Sequence, residues 1–294
     1  MTSWKGKSQA NTVGYKIFVF LIRTFGLRVC YFVLRFVASY YFFFSLHSSR
    51  PVYYFYRQRM KFGRLKSIRL LYTNYYRFGQ TLLDKVAVMS QSEAKFSFDF
   101  TGEENLHKMV EEGKGGILLS AHVGNWEAAG HMLKRLKTRI NILMYDGEDE
   151  KIKKYMDEVT GVRNFNIIYV KQDLSHIYKI NQALASNELV CMHADRFLEG
   201  NKTISCELFQ EQALFPEGPF LLSLKLKVPV AFVHSFKESS THYHFYSTEL
   251  KYFYAEKGAT VTSILEEYAA NLEEMLKIYP EQWFNYYNFW NKKS

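Results

Sequence analysis

Leu118-Leu-Ser-Ala-His-Val-Gly-Asn-Trp-Glu127 is the stretch on which the fold of this chain turns. The apolar run Gly116-Ile-Leu-Leu119 reads as a buried strand. Asn125 reads as the N-cap of a helix over Trp126 to Leu136, with Ala129, Met132, Leu133 and Leu136 on one side. His122 falls in the turn between them, at the carboxyl end of a strand, where open α/β sheets place their ligands. Glu127 falls in the first helical turn. Within one helix, five steps of about 100° would set the two side chains roughly 140° apart. With His122 in the turn, the carboxylate can instead reach back to the imidazole, and the helix N-terminus favours its ionised form. That is the pattern of a general base with an orienting acid. The plainer alternative is a strand-capping histidine and a solvated glutamate. Ser120, Ala121 and Gly124 favour the first reading, because they leave room for a substrate.

Outward from this stretch the elements alternate. A short strand over Lys95 to Phe100 precedes a helix from Glu103 to Glu112. Strands are expected at Ile140–Met144, Asn166–Val170 and Glu188–His193, with helices at Asp149–Val159 and Leu174–Ala185. The fold class is therefore α/β, a mostly parallel sheet with helices on both faces. Tyr243 to Tyr252 reads as an edge strand, and Thr260 opens a helix over Val261–Ile278 that Pro280 ends. Two parts are expected: residues 1–48 as a membrane anchor or interfacial helices, and 49–294 as the catalytic domain. Within the latter, 49–112 form a basic helical part and 113–294 the α/β core.

The charge is lopsided. Residues 1–83 hold fourteen Lys and Arg and no Asp or Glu, whereas the rest carries a net charge of −5, giving +9 overall. A basic, aromatic front end on a mildly acidic body points to an anionic membrane surface, and away from nucleic acid. Val29 to Leu46 carries one charge, Arg35, and at eighteen residues is at the short limit for a span. Three readings stand: a single anchor, a pair of helices lying in the interface, or a buried aromatic helix. Arg35 favours the interfacial one. The cationic residues Arg50, Arg57, Arg59, Lys61, Arg64, Lys66 and Arg69 are expected on the cytoplasmic side. Three scattered cysteines make neither a disulfide framework nor a zinc site. The chain has no Gly-x-Ser-x-Gly elbow, no phosphate-loop glycine pattern and no H-E-x-x-H, so neither metal nor nucleotide cofactor is expected.

His122-Val-Gly-Asn-Trp-Glu127 resembles the H-x4-D/E motif of glycerolipid-type acyltransferases. Together with the segments after it, the chain resembles the lysophospholipid/lipid A late acyltransferase family. Phe215-Pro-Glu-Gly218, Gly218-Pro219 and Lys227-Val-Pro229-Val-Ala-Phe-Val233 fit this resemblance, as does the terminal Pro280-Glu-Gln-Trp283. No basic residue follows the Phe-Pro-Glu-Gly turn, where Pro219 and Phe220 stand, which favours the lipid A side over a glycerol-phosphate acceptor. The resemblance implies acyl transfer from an acyl carrier protein or coenzyme A thioester to a hydroxyl of a lipid A-type glycolipid. It also implies a site on the cytoplasmic side of the inner membrane. His122, oriented by Glu127, would be the base, with no covalent enzyme intermediate. Amides near Gly124 and Asn125, with Arg196, are candidate oxyanion donors. Arg196 in His193-Ala-Asp195-Arg196 either holds a phosphate or anionic intermediate or pairs with Asp195 at the surface. His193 reads as structural or peripheral. Glu217 would orient the turn or bind an acceptor hydroxyl, and Gly218 would allow close backbone approach, with Pro219 in the first helical position. The aromatic tail reads as a plug on the sheet. Another lipid or polyene acceptor, or a catalytically silent lipid-binding scaffold, remains the alternative.

Overall fold

The computed structural model describes residues 12–89, 96–125, 133–145, 165–171 and 173–290, with side chains from residue 17 onward. The helix expected at Asp149–Val159 lies outside them, as does Trp126–Met132. Nine strands are described: β1 Ser97–Thr101, β2 Gly116–Ser120, β3 Ile140–Tyr145, β4 Asn166–Val170, β5 Leu189–His193, β6 Thr203–Leu208, β7 Glu211–Pro216, β8 Val230–Lys237 and β9 His242–Ser247. Seven form one sheet in the order β1-β9-β8-β2-β5-β3-β4, parallel throughout except for the β8–β9 hairpin. The hairpin β6–β7 stands apart as a two-stranded sheet.

Central strands of a parallel sheet are covered on both faces, so they read as unbroken apolar runs. In β2 all five residues are buried. Their alternation feeds two cores. Ile117 and Leu119 face the helices α5 Ser175–Ala185 and α7 Val261–Ile278, with α6 Glu217–Lys225 beyond. Leu118 faces α4 Glu103–Glu111 through Leu106 and Met109. Thr260 caps α7 in a reciprocal pair with Ser263, which satisfies two otherwise orphaned amides.

One expectation is corrected and one element was not anticipated. β9 is an interior strand ending at Ser247, because β1 pairs in parallel outside it and forms the edge. Residues 97–111 supply this edge strand and the helix α4 that packs on the sheet. The β6–β7 hairpin went unread because its turn is Phe209-Gln210, both at positive φ (51° and 61°), where Asn-Gly is the usual signal. Phe209 is held there by burial and by the Glu273 carboxylate, which accepts its amide at 2.8 Å.

The front end is helical: α1 Thr12–Phe44, α2 Leu46–Tyr54, a π-helical turn Phe55–Arg59, and α3 Arg64–Met89. By length and composition, Ile17–Phe44 is long and apolar enough to cross a membrane. Gly26 breaks α1 (φ 77°, ψ 173°), a conformation open essentially to glycine alone. α1 packs along α3, burying Val19, Ile22, Leu27, Cys30 and Leu34 against Leu83, Val86 and Ala87. Not every cation faces outward. Arg59 turns in to Glu211 at 2.6 Å, over the Tyr54 and Trp290 rings, and Arg57 donates to the Phe62 carbonyl.

A buried ion pair fastens these helices to the sheet. Lys237 of β8 and Asp84 of α3 are both fully buried and pair directly. Asp84 also accepts the hydroxyls of Tyr31 on α1 and Tyr243 on β9. Lys237 also donates to the Ser240 carbonyl at 2.7 Å. Burial pushes the carboxyl up and the ammonium down, and their contact opposes both shifts. Asp84, the first acidic residue of the chain, is spent here.

Candidate active site

β2 and β5 are parallel neighbours with Ser120 opposite His193. Two residues beyond each strand end stand His122 and Asp195, so the register itself places them face to face. His122 Nδ1 lies 2.7 Å from Asp195 Oδ1, and the His122 amide donates to Oδ2 at 3.0 Å. Asp195 is 1% exposed, whereas the imidazole keeps 27% of its side-chain surface open. Trp283 Nε1 donates to Asp195 Oδ2 at 3.4 Å, and the Tyr287 hydroxyl to the Asp195 carbonyl at 3.2 Å. An ionised Asp195 fixes the proton on Nδ1 and leaves the lone pair on Nε2.

The C-terminal tail forms the floor of this site. Trp283 bridges to Val123, and the Phe284 amide donates to the His122 carbonyl at 3.1 Å. The Gln282 carboxamide clamps Lys237, accepting its amide at 2.8 Å and donating to its carbonyl at 3.0 Å. Asn74 of α3 donates to the carbonyls of Glu281 and Trp283, both at 3.0 Å. The tail is indeed a buried aromatic plug, but through Trp283 it also reaches the carboxylate that orients His122.

The family model for bacterial lipid A biosynthesis acyltransferases matches residues 64–292. The chain belongs to this family. No curated protein matches it. It is an acyltransferase by membership, and the matched region takes in the strand ends, the tail and all of α3.

The acyltransferase places its sequence-marked residues as follows. Glu127 lies outside the described residues. The described carboxylate on the imidazole is Asp195, 73 positions away. The amides of Gly124 and Asn125 are committed within the protein: the first donates to the Gln282 carbonyl at 2.8 Å and the second to the Ser235 carbonyl at 2.9 Å. Asn125 is 4% exposed, and its carboxamide donates to the Tyr243 hydroxyl at 3.0 Å, joining the His122 turn to the Asp84–Lys237 pair. Arg196 is no surface partner of Asp195; its guanidinium donates to the Phe284 carbonyl and lies close enough to depress the His122 pKa. The His193 ring lies beside His122 at a tilt of 35°, with ring centroids 4.5 Å apart. Glu217 begins α6, so Pro219 is its third residue and not its first. The Glu217 amide donates to the Lys202 carbonyl at 3.1 Å, and nothing crowds a side chain built at Gly218. Among the described residues no group of three or more His, Cys, Asp or Glu is gathered as for a metal ion.

Gly124 is the residue with least latitude. Its φ is +57°, and a Cβ there would sit 1.7 Å from the Ser235 carbonyl oxygen, in β8 backbone that cannot give way. Gly124→Ala is expected to cost at least about 2 kcal/mol and to displace His122 with its turn. Chemical denaturation and a turnover assay on the same preparation check both; an unchanged midpoint would contradict the crowding.

Proposed function

We propose that His122 Nε2 removes the proton from an acceptor hydroxyl, whose oxygen attacks the carbonyl of an acyl thioester directly; the C–S bond then breaks and the departing thiolate takes the proton back from the imidazolium. Asp195 holds the imidazole in the required tautomer and stabilises the imidazolium that forms. The observation that carries this is the 2.7 Å His122–Asp195 contact on a partly open imidazole at the carboxyl edge of the sheet. The donor is an acyl carrier protein or coenzyme A thioester and the acceptor a lipid A-type glycolipid. The site works on the cytoplasmic face of the inner membrane. Glu127 supplies a second carboxylate in the H-x4-E motif. With the nearby amides committed, Arg196 is the remaining candidate among the named donors to meet the developing oxyanion or an acceptor phosphate. Glu217 and Gly218 border the acceptor.

A small pocket lined by Leu106, Leu118, Ile142, Val233 and Phe245 among others reaches Ser120 at the end of β2, and this lining suits an apolar group.

The test is transfer of label from a radioactive acyl thioester to a membrane lipid extract by wild type, His122→Ala and Glu127→Ala. A labelled lipid that disappears with His122→Ala supports the assignment, and its migration identifies the acceptor. Undiminished labelling by His122→Ala would sink it.

Acidity gives an independent check. Burial foremost, then the Arg196 charge, outweighs Asp195 and holds the His122 pKa below its ordinary value near 6.5. A base must be neutral, so activity is expected to persist below pH 6.5 and fall only as pH drops through the lowered value. A kcat/KM profile whose acid limb lies above pH 7 would contradict this.

A further inference from the structure

We propose that α1 lies flat on an anionic lipid surface instead of crossing the bilayer, with one ridge of aromatic side chains in the head-group boundary. The inference deepens the membrane association read above. Taken alone, Ile17–Phe44 would be roughly 42 Å of helix, enough for a hydrocarbon core of about 30 Å. What forbids the crossing is where its middle is fastened. The Tyr31 hydroxyl donates to buried Asp84 and lies 3.0 Å from the Ser240 carbonyl. Ser240 sits in the β8–β9 turn beside exposed Ser239 and Glu238. Ten residues on, Tyr41 stacks on Tyr75, and Tyr75 stacks on Tyr286 of the C-terminal tail. The Tyr72 hydroxyl meets the Arg35 carbonyl between them. α1 is therefore laid across the side of the catalytic domain from the β8–β9 turn to the tail. A span centred on these residues would carry an exposed turn with Glu238, and the edge of the sheet, to bilayer depth, where charge and unpaired backbone are costly.

The other face of α1 fits a surface. At 100° per residue, Val29, Phe32, Phe36, Tyr40 and Phe43 fall within about 80° of one another, opposite buried Leu27, Leu34 and Ala38. Phe32, Phe36, Tyr40 and Phe43 are each 58–65% exposed. Before the break at Gly26, Ile17, Phe20 and Phe25 are exposed as well. Exposed Arg28 and Arg35 both lie along one side of this ridge, and the first 83 residues carry no acidic group. An apolar ridge with a cationic border suits lipids bearing negative head groups.

Depth measurements on the full chain test this. Phe20→Cys, Phe32→Cys and Phe43→Cys each carry a fluorescent label, while the native cysteines, all buried, stay unlabelled. Each labelled protein is bound to phosphatidylglycerol vesicles containing nitroxide lipids with the spin label high or low on the acyl chain. The expected result is stronger quenching of all three sites by the shallow nitroxide, at least twofold over the deep one. Deep quenching at Phe32, with shallow quenching at Phe20 and Phe43, would show a span and overturn the proposal. Absence of quenching at all three would overturn it too, leaving the ridge to a second copy of the chain or to solvent. Phe32→Ser and Phe36→Ser are each expected to weaken vesicle binding about tenfold, and phosphatidylcholine vesicles to bind less. Because depth is read from fluorescence, shallow quenching by a chain with no acyl-transfer activity would sink the proposed reaction and leave this inference standing.

Discussion

Asparagine in place of Asp195 is expected to lower kcat about 10³-fold, close to the loss from His122→Ala. The carboxylate is buried and touches the imidazole directly, so its charge is felt in a setting that water screens poorly. Asparagine can present its amide N–H to Nδ1, which would shift the ring proton to Nε2 and remove the base. The two losses should not add: the double variant is expected to be no worse than His122→Ala, since both remove one function. A pH profile separates this role from simple loss of structure. Asp195 raises the His122 pKa against burial and Arg196, so residual Asp195→Asn activity should have its acid limb at lower pH than wild type. The carboxyl of Asp195 is itself held well below the usual range: burial alone would raise it, but His122, Arg196 and His193 more than compensate. Its ionised form therefore persists over any pH at which the imidazole is neutral. An Asp195→Asn enzyme retaining more than a tenth of wild-type kcat would overturn the assignment and return the orienting role to Glu127.

Lys237→Ala is expected to destabilise the protein by about 3–5 kcal/mol, the cost of leaving a buried carboxylate without its partner. For a chain of this size that lowers Tm by roughly 10 °C. The Tyr31 and Tyr243 hydroxyls still bind Asp84 but carry no compensating charge. Replacing both partners, Lys237→Met with Asp84→Leu, should restore most of the loss, because the desolvation of two ions disappears along with their attraction. Calorimetry of the two single variants and the double variant gives the coupling directly. Single variants within 1 kcal/mol of wild type would show that the pair is not charged. Activity is expected to fall with Lys237→Ala as well, since Tyr243 connects the pair to Asn125 in the catalytic turn.

Much of this protein was legible residue by residue. An apolar run ended by small residues marks β2 and its turn, because a strand covered on both faces admits nothing polar. Thr260, Pro280 and the helical period between them bound α7, since capping and proline geometry act over three or four residues. The strand-by-strand alternation carried the α/β class for the same reason. His122 was singled out by its place after a strand, and the family motifs supported acyl transfer. These are all short-range signals.

What the tertiary structure decided is which distant groups meet. The sequence points from His122 to Glu127 because they are five residues apart; that Asp195 also meets His122 follows only from the Ser120–His193 register. Nothing local encodes that register, which follows from packing two apolar strands side by side. Likewise, the amides near Gly124 look available until the strand β8 and the tail claim them. Fourteen cations without an acid look like a membrane face until Arg59 turns in to Glu211. The apolar helix α1 has the length to span, and only the tertiary contacts of Tyr31 with Asp84 and the Ser240 carbonyl show that its middle is fastened to the sheet. Composition fixes what a segment can tolerate around it, and long-range contacts select which of those surroundings it gets.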